Sequence, residues 1–136
     1  MTDDSIRRFL RARGVADHVV AGGIEGLVTA WEQTATAIGA GYCLTLDDYL
    51  NDLDARQILE VVLSAMPEPD GPLLDRLRAA DARVRAATVP VGQCVWGDGG
   101  SRGWTERRNW WYFVIPRHPG GDLADDLARE GFGAHH

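Results

Sequence analysis

Apolar positions recur at helical spacing through the first two thirds of the chain and turn to extended spacing from Val91 onward. Ile6, Phe9 and Leu10 predict a first helix that Asp3, Asp4 or Ser5 can cap and Gly14 ends. Asp17 can cap a short turn through Val19 and Val20, which Gly22 and Gly23 break. Ile24, Leu27, Val28, Trp31, Ala35 and Ile38 then share one stripe of a stronger helix, stopped by Gly39 and Gly41. The clearest helix opens at Thr45. Asp48, three residues on, completes a capping box with a shortened acid, and Asp47 and Asp48 suit the positive end of the helix dipole. Its apolar face runs through Leu46, Tyr49, Leu50, Leu53, Ile58, Val61, Val62 and Met66. The segment 67–72 is a breaker, and Pro72 suits the first turn of a fourth helix carrying Leu73, Leu74, Leu77 and Val84 as far as Thr88.

Two strands are predicted next, Val91–Trp96 and Asn109–Ile115, the second ended by Pro116. Between them lie a glycine-rich loop, 97–103, and the stretch 104–108. Leu123 and Leu127 mark a short last helix over 121–130. With no internal repeat and no dividing linker, one domain over residues 1–136 is expected. The pattern predicts an α+β fold: a helical N-terminal two thirds packed against a C-terminal antiparallel β-hairpin, with a short C-terminal helix. A lone two-stranded sheet is marginal, so helices or a partner must cover it.

Symmetric pairing about the loop sets Cys94 opposite Trp111, Trp96 opposite Asn109 and Gly92 opposite Phe113. The face with Cys94, Trp111, Phe113 and Ile115 is the drier one and is expected against the helices. The other carries Gln93, Trp110 and Tyr112, large rings with polar handles that suit a contact surface. Both faces of the second strand are apolar, so each needs a cover. The expected binding residues are Gln93, Trp110 and Tyr112, flanked by Arg102, Arg107 and Arg108, because aromatics and arginine dominate interface hot spots. The competing placement is that a helix such as 121–130 buries this face as core.

Charge narrows the partners. The chain has a net charge of −6, with 45% hydrophobic and 25% charged residues, as in ordinary soluble proteins. Residues 1–68 hold five arginines against eleven acids, and the remainder nine against nine. Within it, residues 86–118 hold four arginines against two acids, so the aromatic region is locally basic in an acidic chain. All fourteen basic residues are arginine. General nucleic-acid binding is not expected, since it needs a basic footprint. The apolar runs are too short to span a bilayer, and the first residues lack the apolar core of a secretory signal, so no membrane association and a cytoplasmic location are expected. Cys43 and Cys94 make no disulfide framework and are expected as reduced, buried thiols.

Catalytic patterns are sparse. The 97–103 loop, with Ser101 and Arg102, could cradle an anion, but it lacks the strand-to-helix setting and the lysine of a phosphate loop; an ordinary hairpin loop is the simpler reading. Asp47, Asp48, Asp52 and Asp54 form an acidic run. Asp48 and Asp52 share a helical face, but no second set of metal ligands accompanies them and Arg56 is spaced to pair with Asp52, so a solvated face is expected. Asp81 falls on the apolar stripe of its helix. It needs Arg107, Arg108 or an indole N–H as partner, or else lies at the stripe's wet edge. In the hairpin register His118 stands roughly 23 Å beyond Cys94, too far for a nucleophile and base. His18, His118, His135 and His136 make no metal-ligand spacing. No catalytic residue, metal or cofactor is expected. The expected function is that of a small, non-catalytic binding protein acting on a protein partner or on a second copy of itself. The alternative is a small enzyme or ligand-binding domain with a pocket between hairpin and helices, using Asp81 and an arginine from 102–108.

Overall fold

A computed structural model describes residues 3–12, 17–66, 71–97 and 102–132. Gly14, the 67–70 breaker, Ser101 with the middle of the glycine loop, and His135 and His136 lie outside these residues, as do the side chains expected to cap the first two helices.

Five helices and a two-stranded sheet follow one another among the described residues: α1 (Asp3–Ala12), α2 (Asp17–Gly39), α3 (Leu46–Ala65), α4 (Gly71–Ala87), β1 (Thr88–Pro90), a 3-10 turn (Trp110–Phe113), β2 (Val114–Pro116) and α5 (Gly121–Arg129). The fold is α+β with a helical N-terminal majority. Here α2 packs on both α3 and α4, α1 packs on α2, and α5 packs on α3. The α2 stripe is buried as its spacing demands, from Ile24 through Ile38. Gly23 kinks α2 at φ 62°, where the glycine pair breaks the apolar pattern. Thr45 caps α3: its hydroxyl accepts from the Asp48 N–H at 3.3 Å, and the Asp48 carboxylate accepts from the Thr45 N–H at 3.2 Å.

The α3 core face differs from the expected one. Leu59 and Arg56 are buried with Tyr49, Leu50, Leu53 and Val62, whereas Ile58 and Val61 are only half-buried.

The hairpin needs a larger correction. The strands are three residues each, not six or seven: β1 lies wholly before the expected first strand, none of which is extended in the sheet, and β2 takes only the end of the expected second one. Thr88 pairs with Pro116, Val89 with Ile115 and Pro90 with Val114, one residue out of step with the expected register. Two causes are visible. Proline at 90 and 116 lacks the N–H a ladder uses, and Gly92 turns the chain away at φ 74°. Past that point only isolated bonds cross, from the Val91 N–H to the Phe113 carbonyl at 2.9 Å and from the Val95 N–H to the Tyr112 carbonyl at 2.8 Å. The ring-rich segment winds into a 3-10 turn instead of extending. A strand would direct its rings to two opposite faces, whereas a 3-10 turn separates successive side chains by about 120°. That geometry buries Trp110, Trp111, Tyr112 and Phe113 together.

Candidate functional site

Asp81 sits in a closed polar cluster. Arg56 of α3 meets it with two parallel bonds, Nε to Oδ1 and Nη2 to Oδ2, each 3.0 Å, and the Trp31 indole N–H donates to Oδ1 at 2.8 Å. Arg56 also holds Glu60 at 3.1 Å and lies 4.4 Å over the Trp111 ring. The Asp81 side chain keeps 18% of its surface exposed and that of Arg56 only 6%. The indole partner anticipated for Asp81 is therefore present, but its cation is Arg56 rather than Arg107 or Arg108, and the carboxylate is half-buried. Bidentate pairing satisfies both charges where neither is well hydrated. These contacts connect α2, α3 and α4 at one point and give Asp81 a structural occupation. The Trp111 indole N–H, fully buried, has no acceptor among the described residues.

Of the four α3 aspartates expected on a solvated face, Asp47 is exposed and the other three are half-buried with partners. Asp48 serves the cap, and Asp52 accepts from the Tyr42 hydroxyl at 2.5 Å rather than pairing with Arg56. Asp54 accepts from the Tyr112 hydroxyl at 2.6 Å and from the Trp96 indole at 3.1 Å. Burial raises the Asp52 pKa; the Tyr42 bond opposes this and Asp48 adds to it. Burial is also the largest cause that raises the Tyr42 and Tyr112 hydroxyl pKa values, reinforced in each by its carboxylate partner.

Of the residues expected to form the contact surface, Tyr112 is fully buried and Trp110 is 9% exposed, with the Arg85 guanidinium 4.0 Å over the Trp110 ring. The Trp110–Tyr112 pair is therefore core, with Asp54 of α3 on the Tyr112 hydroxyl and Arg85 of α4 over the Trp110 ring. Gln93, Arg102, Arg107 and Arg108 are exposed. Trp104 is a further site residue, which no pattern in the sequence singles out. It is half-buried and stacks on Tyr112 with centroids 3.9 Å apart. Arg102 lies 5.0 Å from the Trp96 ring and 4.9 Å from the Trp104 ring.

Three concavities adjoin the C-terminal region. The largest, about 840 Å³, lies between β2 and α5 and is lined by Val89, Ile115, Leu127 and the rim residues Arg117, His118 and Asp125. A second, about 630 Å³, is bounded by Gln57, Glu60 and Ser64 of α3 and by Arg102, Trp104 and Arg108. A third, about 360 Å³, takes in Gln93, Cys94, Trp96, Trp104, Phe113 and Phe132. Arg102 and Arg108 thus share a cleft, while Gln93 belongs to a separate one and Trp110 to none of the three. Cys94 and His118 line different cavities. The cysteines are free, but Cys43 is exposed and Cys94 half-buried, against the expectation that both would be buried. Among the described residues no cluster of three or more His, Cys, Asp or Glu side chains is placed to hold a metal ion. No helix among them is long and apolar enough to cross a membrane.

Comparison with protein-family models, with curated proteins and with solved structures returned no match.

Proposed function

We propose that this protein is a small, non-catalytic binding protein whose contact surface is the 630 Å³ cleft between α3 and the 102–109 segment. The observation that carries the reading is that Arg102, Trp104 and Arg108 share this cleft with the polar side chains Gln57 and Ser64. Arginine and tryptophan are the side chains that concentrate binding energy, and a cleft gives them the desolvation that makes them count. Glu60, the cleft's carboxylate, is held by Arg56 at 3.1 Å. The occupant that fits is a protein segment bearing Asp or Glu side chains, because exposed arginines bind carboxylates in bidentate fashion. The overall charge of −6 does not prevent this, since fields beyond about 8 Å are screened at physiological salt.

Selection of random peptides displayed on phage tests the reading. Enrichment of acidic sequences on the wild type, lost on an Arg102→Glu/Arg108→Glu variant of unchanged circular dichroism, is the expected result. Equal enrichment on both proteins would overturn it.

A ligand-binding domain remains the second reading, favoured by the 840 Å³ cleft between β2 and α5, whose wall is mainly apolar. That cleft does not contain Asp81, so the polar groups first assigned to such a pocket are replaced by Arg117, His118 and Asp125.

A further inference from the structure

Away from the C-terminal region, a separate concavity of about 340 Å³ lies between α2 and α3, and its wall is mainly apolar. Ala30, Gln33, Thr34 and Ala37 stand at i, i+3, i+4 and i+7, so they form one face of α2. Three of these four are small, which leaves room beside α3. Tyr42, Cys43 and Leu44 of the connecting turn and Asp52 of α3 complete the lining. Leu44 is 51% exposed, a large apolar side chain left in water at the edge of this pocket. The polar groups share one character. The Thr34 hydroxyl donates to the Ala30 carbonyl at 3.1 Å, and the Tyr42 hydroxyl donates to Asp52 Oδ2 at 2.5 Å. Both hydroxyl protons are engaged, so these oxygens offer only lone pairs to anything else. Asp52 Oδ1 takes no hydrogen bond among the described residues. No cation there pairs with this carboxylate either, because Arg56, one turn on, holds Asp81 and Glu60. Burial and Asp48 both raise the Asp52 pKa, as expected of a carboxylate whose charge has too little compensation.

We propose that this pocket binds a small primary amine as its ammonium ion, with Asp52 as counter-charge, Thr34 and Gln33 as further acceptors, and Ala37 and Leu44 against its hydrocarbon chain. An ammonium group has three donors and no acceptor, which matches a pocket whose hydroxyls can only accept and whose carboxylate lacks a cation. The apolar wall and the exposed Leu44 favour a ligand that carries a few carbons beside its charge, and the volume admits no more than a small one. A carboxylic acid or a phosphate would meet Asp52 and be repelled. A bare divalent cation fits poorly, because one carboxylate does not make its oxygen shell. The pocket shares no residue with the cleft assigned to a protein partner or with the cleft between β2 and α5. The failure of one reading therefore leaves the others standing.

Titration of the nitrogen-15-labelled protein with n-butylammonium chloride tests this, with 1-butanol as the uncharged control. At about pH 8 the amine is still protonated and an aspartate with a moderately raised pKa is ionised. Butylammonium should shift the amides of Thr34, Ala37, Cys43 and Leu44 saturably and leave those of Gln57 and Ser64 in place. It should bind about 10-fold more tightly than butanol, the margin that a charge-assisted hydrogen bond supplies. Asp52→Asn keeps the size of the side chain and an acceptor for Tyr42, and it should bring the amine down to the affinity of the alcohol. Asp47→Asn removes an exposed charge from the same helix and should change neither, which separates the pocket from general attraction to an acidic protein. Leu44→Ser, at an exposed position, should weaken both ligands. Absence of saturable shifts at these amides, equal binding of amine and alcohol, or a preference for the amine that survives Asp52→Asn would each overturn the proposal.

Discussion

Asp81 shows how a charged residue can occupy an apolar stripe without catalysing anything. Its position on α4 is legible from spacing alone, and so is its need for a partner. The partner's identity is not, because Arg56 is 25 residues away and its own spacing to Asp52 offers a local alternative. Removing the carboxylate should be costly because it strips the buried Arg56 guanidinium of its bidentate partner and the Trp31 indole N–H of its acceptor, leaving Arg56 only the half-exposed Glu60. Asp81→Ala should destabilise the protein by about 3 kcal/mol in urea unfolding. The double replacement Arg56→Met/Asp81→Leu should cost much less than the two single changes added together. Asp52 permits a second test. Its pKa is raised in the folded protein, so the folded state holds this proton more tightly than the unfolded chain. The associated stability is present below the ordinary carboxylate range and is lost as pH rises through the folded pKa. Asp52→Asn keeps an acceptor for Tyr42 but cannot titrate. Its stability relative to wild type should therefore increase as pH rises across that range, measured as the shift in urea midpoint at each pH. A difference that stays constant with pH would contradict the assignment.

The helices were readable because each has its own punctuation, such as Thr45 with Asp48 at the start of α3 and Gly23 at the kink in α2. The hairpin was misread where local pattern has two solutions. A run of large rings fits a strand by propensity, yet tertiary packing favours a 3-10 turn because three directions, not two, have partners waiting: Arg85 by Trp110, Arg56 by Trp111 and Asp54 by Tyr112. The expected contact surface fell with that reading, whereas Arg102 and Arg108, which lie outside the turn, stayed exposed. Gly120 fixes the last element. Its N–H donates to the Tyr42 carbonyl at 3.0 Å, and a Cβ there would lie 2.8–2.9 Å from backbone atoms of residues 41–43. Gly120→Ala should therefore cost about 1–3 kcal/mol, since backbone must move to admit one methyl group. Thermal unfolding would show it, and a variant as stable as wild type would refute the close approach.

Across the whole molecule, the region from residue 88 onward shares one hydrophobic core with the helices, and donors meeting acceptors fix its position on them. Tyr112 and Trp96 donate to Asp54, and Asn109 donates to Gln57 at 2.9 Å. Tyr49, which donates to the Val114 carbonyl at 2.7 Å, and the Leu46 N–H, which donates to Asp126 at 3.0 Å, run the other way. Asp54→Ala should loosen this docking without melting the α2 core. Hydrogen exchange should accelerate at the Val91 and Val95 amides, up to about 100-fold for the loss of two such bonds, and stay unchanged from Leu27 to Ile38. The concentration of acid in residues 1–68 was plain in the sequence, but its purpose was not, because a carboxylate waiting for a ring hydroxyl is indistinguishable in sequence from one facing water. Synthesis gives that arrangement a direction. The ribosome releases Asp54 of α3 before Trp96 and Tyr112, whose donors it will receive. Trp96 and Tyr112 therefore emerge when their acceptor is already in place.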